Sequence, residues 1–169
     1  DASVCFLGAD VMEKIGLFRG DSVILKSRRG AHTCLIVLSD SELSKDDLRI
    51  HHMALANLEV KAGDVVLVEP LPDLPYADNV ELLFNAADII EGEDLRTLVK
   101  RFFSDAYRPV MVGNRMCLRD PQQGLDDGRS FLVQAIEASG TNCNCAIVSP
   151  DTSFTAYSTA PASAAPPSP

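Results

Sequence analysis

Three histidines and five cysteines are the side chains of this 169-residue chain best suited to metal or nucleophilic chemistry. They fall in His32-Thr33-Cys34, in His51-His52 and in Cys143-Asn144-Cys145, with Cys5 and Cys117 standing alone. A structural zinc site takes four nitrogen or sulfur ligands at characteristic intervals, and none of these spacings supplies them. Cys34 lies in Thr33-Cys34-Leu35-Ile36-Val37-Leu38, an apolar run in which a thiol behaves as a small hydrophobe. A Ser or Cys nucleophile needs an adjacent base, and no histidine here has a context that suggests activation. Walker A and GxGxxG nucleotide signatures are absent. The chain therefore reads as having no catalytic residues, no metal ligands and no cofactor of its own. The odd cysteine count, with Cys143 and Cys145 too close for an easy bridge, indicates reduced thiols in a reducing compartment.

Recognition chemistry is better represented. Phe18, Arg19, Tyr76, Tyr107 and Arg108 are residue types that dominate binding hot spots, because they join large rigid area to a polar handle. Any one of them taken alone reads better as a core or cap residue; it is the grouping around turns and a crossover that favours a groove between lobes. A net charge of −9 disfavours duplex nucleic acid, whose binding rests on Lys and Arg neutralising phosphates, and suits a basic partner. No window of about 18 apolar residues exists to span a membrane as a helix.

These residues need elements to hold them. Leu17-Phe18-Arg19-Gly20-Asp21, running into Ser22-Val23-Ile24-Leu25, reads as a turn followed by a strand, and Ala62-Gly63-Asp64-Val65-Val66-Leu67 repeats it. A weaker echo, Val112-Gly113-Asn114, has Asn in place of Asp. Strands are expected at 3–7, 22–26, 31–38, 48–50 and 65–69, with a hairpin tip at Gly30 and short helices at 10–14 and 51–58. Two strand-turn-strand units of this kind predict a small closed barrel over 1–72.

Pro70, Pro72 and Pro75 make a stiff crossover over 73–78. A second lobe is expected over 79–154, with a strand at 80–84. Leu95, Leu98, Val99, Phe102 and Phe103 form one stripe of an amphipathic helix after the acidic start Glu91-Gly92-Glu93-Asp94. Pro109 is expected to end that helix, and strands follow at 116–119, 130–138 and 145–148, with a polar loop at 120–128. Residues 155–169, rich in Ala, Ser, Thr and Pro, read as a flexible linker. With an initial Asp rather than Met, that linker suggests a piece of a longer protein.

Several of these stretches together resemble one family. Leu17-Phe18-Arg19-Gly20-Asp21-Ser22-Val23, Cys34-Leu35-Ile36-Val37-Leu38-Ser39-Asp40 and Asn57-Leu58-Glu59-Val60 are similar to the amino-terminal domains of the valosin-containing-protein family. Those proteins are AAA+ segregases that act on ubiquitylated proteins. Gly63-Asp64-Val65, Pro72-Asp73, Tyr76, Ala106-Tyr107-Arg108-Pro109 and Val148-Ser149-Pro150-Asp151-Thr152 continue the resemblance in family order across residues 3 to 154. Departures include His51-His52-Met53-Ala54 in place of a more basic segment, Lys61 where the family has Arg, and a longer 120–128 loop.

The resemblance implies an α+β fold, mainly β with short helices: a double-psi β-barrel lobe followed by a smaller β-barrel-like lobe. It implies a non-catalytic domain that docks UBX-type domains, Arg-rich short motifs and the heterodimeric ubiquitin-fusion-degradation adaptor in the interlobe groove. By motif, Val4, Phe18, Ile36, Leu38, Pro72, Tyr76 and Tyr107 would wall the apolar pocket, with Arg19 and Arg108 at its border. Asp21 would accept a partner arginine. Lys61 and Arg119 would face an ATPase ring. ATP and magnesium would belong to the separate ATPase modules, which would also build the hexamer, leaving this domain monomeric. The family works in cytoplasm and nucleus; the departures suggest a specialised paralogue, for example in a plastid. The alternatives are the equivalent domain of a membrane-fusion or peroxisomal AAA+ protein with a different adaptor, or, remotely, a self-processing barrel decarboxylase. The last would cleave at a Gly-Ser step, and the chain has none.

Overall fold

The structure is a computed structural model that describes residues 1–119 and 126–159. These residues are mainly β, with three short α-helices, as the sequence predicts. The first lobe contains β1 (Val4–Leu7), α1 (Ala9–Lys14), β2 (Ser22–Ser27), β3 (His32–Ser39), β4 (Leu48–Ile50), α2 (His52–Leu58) and β5 (Val66–Pro70). Its strands form one curled sheet in the order β4-β1-β3-β2-β5, a half-barrel whose edges are β4 and β5. β1 runs parallel to β3, while β2 pairs antiparallel with both β3 and β5.

The alternation of side chains along a strand sorts this sheet into two faces. Cys5, Leu7, Val23, Leu25, Leu35 and Val37 point one way and join Met12, Leu17, Ala54 and Leu58 in a single buried cluster. Val4 and Phe6 on β1, with Ile36 and Leu38 on β3, occupy the other face in register, Val4 opposite Ile36 and Phe6 opposite Leu38. Pro70 closes β5, an edge strand, where the missing N–H interrupts no ladder on its outer side.

The repeated Gly-Asp stretch is a repeated turn. Gly20 and Gly63 take φ of 93° and 94°, a region in which a Cβ would be strained. In each turn the aspartate accepts a 2.8 Å hydrogen bond at Oδ2 from the N–H three residues earlier, Phe18 for Asp21 and Lys61 for Asp64. The turn chemistry thus resides in the four residues themselves. That is why the sequence displays it.

The second lobe contains β6 (Asn79–Phe84), α3 (Leu95–Phe103), β7 (Arg108–Met111), β8 (Arg115–Arg119), β9 (Asp126–Ala138), β10 (Thr141–Cys143), β11 (Cys145–Val148) and β12 (Ser153–Ser158). Its main sheet runs β10-β9-β6-β12, β8 pairs with β9, and β11 and β7 make a separate two-stranded ribbon. Helix α3 falls on its predicted stripe. Asp94 caps it by accepting the Arg96 N–H at 3.0 Å, and Val99, Phe102 and Phe103 enter the core. There Phe102 and Phe103 meet Phe131, and Phe103 stacks on Phe154 with centroids 5.3 Å apart.

Two expectations need correction. Pro109 lies in strand β7 instead of merely stopping the helix; it occupies a two-stranded ribbon opposite Ile147, where proline is tolerated. Strand β12 extends through Ser158 in parallel register with β6, so Thr155–Ser158 belong to the sheet and not to a linker. Their low hydrophobicity conceals a strand held by its neighbour. Beyond Thr159, the remainder of the expected linker, 160–169, and most of the expected loop at 120–128 lie outside the described residues.

Candidate interlobe groove

The Phe18–Asp21 turn is tied directly to the central strand. Gly20 N–H donates to the Val37 carbonyl at 2.8 Å, and Val37 N–H donates to that of Asp21 at 2.9 Å. Ser22 then stands opposite Ile36 on β3, and its carbonyl accepts the Leu71 N–H at 3.0 Å. This carries the chain from the turn to the proline crossover. From there Pro75 and Ala77 bracket Tyr76 with hydrogen bonds to Ile147 on β11, each 2.8 Å. Val148, the next residue on β11, pairs with Arg108 at the start of β7. Hydrogen bonds and the intervening chain thus lead from the Phe18 turn to Arg108, the residue after Tyr107.

Along this route lies an open cleft of about 380 Å³, lined among others by Asp21, Pro72, Leu74 and Ile147. Phe18 is 77% exposed, Tyr76 61% and Tyr107 57%, values far from those of core aromatics. The two tyrosine rings meet edge to face with centroids 6.2 Å apart. Arg19 is exposed beside Phe18. Val4, Ile36 and Leu38 are half-buried on the sheet face turned away from the first lobe's core. Asp21 and Pro72 thus come together at one cleft, Tyr76 and Tyr107 at one aromatic pair, and Val4, Ile36 and Leu38 on one sheet face.

Arg108 departs from its expected place at the border of a pocket. Its side chain is 2% exposed. The guanidinium donates to Ser3 Oγ at 3.0 Å, the Phe102 carbonyl at 2.9 Å and Asp1 Oδ2 at 2.7 Å, and pairs with Asp105. It also lies 4.7 Å over the Phe102 ring. A buried charge needs this degree of satisfaction, so Arg108 is committed to joining the lobes and presents no charge to a partner.

Lys61 is exposed in the second Gly-Asp turn, beside a different hollow formed with Asp47, Leu48 and Val66. Arg119 ends β8, and its side chain lies outside the described residues.

Sequence reasoning missed two interlobe features. Cys34 on β3 and Cys145 on β11 are neighbouring free thiols from the two lobes. The interaction with Cys145 and burial push the Cys34 thiol far up, while the same interaction draws Cys145 down from the ordinary thiol value. His51 and His52 meet Cys117 of the second lobe, with one ligand atom from each within 4.8 Å of the others. Neither grouping was complete in the sequence, because Cys145 and Cys117 lie far along the chain from Cys34 and from His51-His52.

No protein-family model matches this chain. Among the described residues, no helix is long and apolar enough to cross a membrane.

Proposed function

We propose that this is a non-catalytic adaptor-binding domain of an AAA+ segregase of the valosin-containing-protein type. It would dock UBX-type domains and Arg-rich motifs in the interlobe groove and so recruit ubiquitylated substrates. The observation that carries this reading is the exposure of Phe18, Tyr76 and Tyr107 beside the Asp21-Pro72 cleft. Solvent-exposed aromatics next to a concave acidic site form a favourable surface for a partner segment combining apolar side chains with arginine. Asp21 Oδ2 accepts the Phe18 N–H within the turn, which holds the carboxylate in place, and Oδ1 would accept from a partner's guanidinium. The net charge of −9 steers a basic motif toward it. Adaptors of this class include the heterodimeric ubiquitin-fusion-degradation adaptor, and the parent assembly would be a hexamer powered by ATP and magnesium in separate modules.

The test is calorimetric titration of the chain with a UBX domain carrying a Phe-Pro-Arg loop, repeated with Tyr107→Ala. Micromolar binding that is lost in the variant is the expected result. A folded chain that ignores the UBX domain but binds a membrane-fusion adaptor would replace this reading with that of the related AAA+ domain.

A further inference from the structure

The second interlobe feature extends beyond adaptor docking. His51 is the N-cap of α2 and His52 its first residue, while Cys117 lies on β8 of the other lobe. The two imidazoles stack with centroids 4.0 Å apart and an interplanar angle of 33°. The same α2–β8 junction is held by Asn57, whose side-chain amide donates to the Arg115 carbonyl at 2.9 Å and accepts the Arg115 N–H at 2.8 Å. These two bonds lock β8 against α2 two residues before Cys117. The three ligand atoms are therefore brought together by a braced junction.

We propose that His51, His52 and Cys117 form a zinc-class metal site that clamps the two lobes together. Two imidazole nitrogens and one thiolate suit a borderline-soft divalent ion and are poor ligands for magnesium or calcium. Three protein ligands leave a fourth position for water. Zinc–nitrogen and zinc–sulfur bonds of about 2.0–2.3 Å place tetrahedral ligand atoms about 3.3–3.8 Å apart. The present separations, all within 4.8 Å, close to that by side-chain rotation of about an ångström. Cys117 loses its proton to solvent as the zinc–sulfur bond forms, and the buried negative charge is neutralised by the ion. Exposed His52 provides the route of entry.

His51 sets a cost on binding. Its Nδ1 accepts the Met53 N–H at 3.0 Å, capping α2. Coordination through Nε2 shifts the imidazole proton to Nδ1 and breaks that cap. Losing one cap weakens affinity about tenfold, a small factor beside the many decades that zinc–ligand bonds supply.

The test uses the reduced 169-residue chain titrated with Zn²⁺ against a chromophoric chelator, and separately with Co²⁺. One Zn²⁺ per chain is expected, with a rise in thermal midpoint, and the Co²⁺ form should show thiolate-to-cobalt charge transfer. His52→Ala, a change at an exposed position, should weaken Zn²⁺ binding about 100-fold and abolish the thermal shift. Cys117→Ser should remove the charge-transfer band. Because Cys117 is buried and its variant can lose stability, the His52→Ala result stands independently of it. Unchanged Zn²⁺ affinity in His52→Ala would overturn the site, as would a cobalt–thiolate band that survives Cys117→Ser. Failure of the wild-type chain to bind Zn²⁺ would overturn it equally. None of these readouts involves an adaptor.

Discussion

Arg108 and Asp1 form an ion pair of 2.7 Å that joins the start of β7 to the residues before β1, so that one buried guanidinium links the lobes. Removing it takes away the hydrogen bonds that the guanidinium donates to Asp1 Oδ2 and to the Phe102 carbonyl, while Ser3 continues to donate to Asp1 Oδ1. Breaking a buried pair from one side costs about 3–5 kcal/mol. Arg108→Ala should therefore lower the unfolding free energy by about that amount, measured by urea denaturation. A variant of wild-type stability that had lost only adaptor affinity would refute this structural role.

Asn57 contributes more modestly. Its two hydrogen bonds to the Arg115 backbone are exposed, and each is worth about 1 kcal/mol or less. Asn57→Ala should destabilise the chain by about 1–2 kcal/mol. Hydrogen exchange at the Arg115 amide should accelerate more than exchange in the buried strand β6.

Phe18 should behave in the opposite way. At 77% exposure its side chain adds little to the fold, so Phe18→Ala should change stability by no more than about 0.5 kcal/mol. The same change should weaken adaptor binding by about 1–3 kcal/mol. Circular-dichroism melting paired with calorimetry separates the two effects. A Phe18→Ala chain that melts much earlier would show the side chain to be structural.

Alkaline pH should weaken the fold through buried thiols. Burial pushes the Cys5 thiol from 9.0 up to about 12, and Cys34 also shifts upward through its interaction with Cys145 and its burial. The folded state therefore keeps these protons where the unfolded state releases them. Their stabilisation is intact below pH 9 and declines as pH rises through 9 toward 12. Denaturation midpoints measured at pH 8 and about pH 10.5 should fall, and Cys5→Ala should flatten that slope.

The acid limb involves Asp94. Hydrogen bonds from Thr97 and the Arg96 N–H hold its carboxyl below 3.8. A depressed carboxylate stabilises the fold above its unfolded value, and that contribution disappears as pH falls through the folded one. Asp94→Asn retains cap geometry without the charge, so the α3 amides should lose less exchange protection on acidification than in wild type.

The sequence determined this protein's local structure because its signals are short-range. The Gly-Asp turns, the β2–β3 hairpin, the α3 stripe and the proline crossover each depend on residues within a few positions of one another. The turn and crossover contexts of Phe18, Tyr76 and Tyr107 were also visible in the chain, and these three side chains are exposed in the structure. Tertiary structure decided the rest. Strands β7 and β12 exist because β11 and β6 supply hydrogen-bond partners, which weakly apolar segments such as Ser153–Ser158 do not announce. Arg108 looks like a surface arginine until Asp1, Ser3 and Phe102 surround it. His51, His52 and Cys117 acquire a shared geometry only when α2 docks on β8. Proximity of that kind comes from sheet register and lobe packing, long-range effects that residue spacing along the chain does not encode.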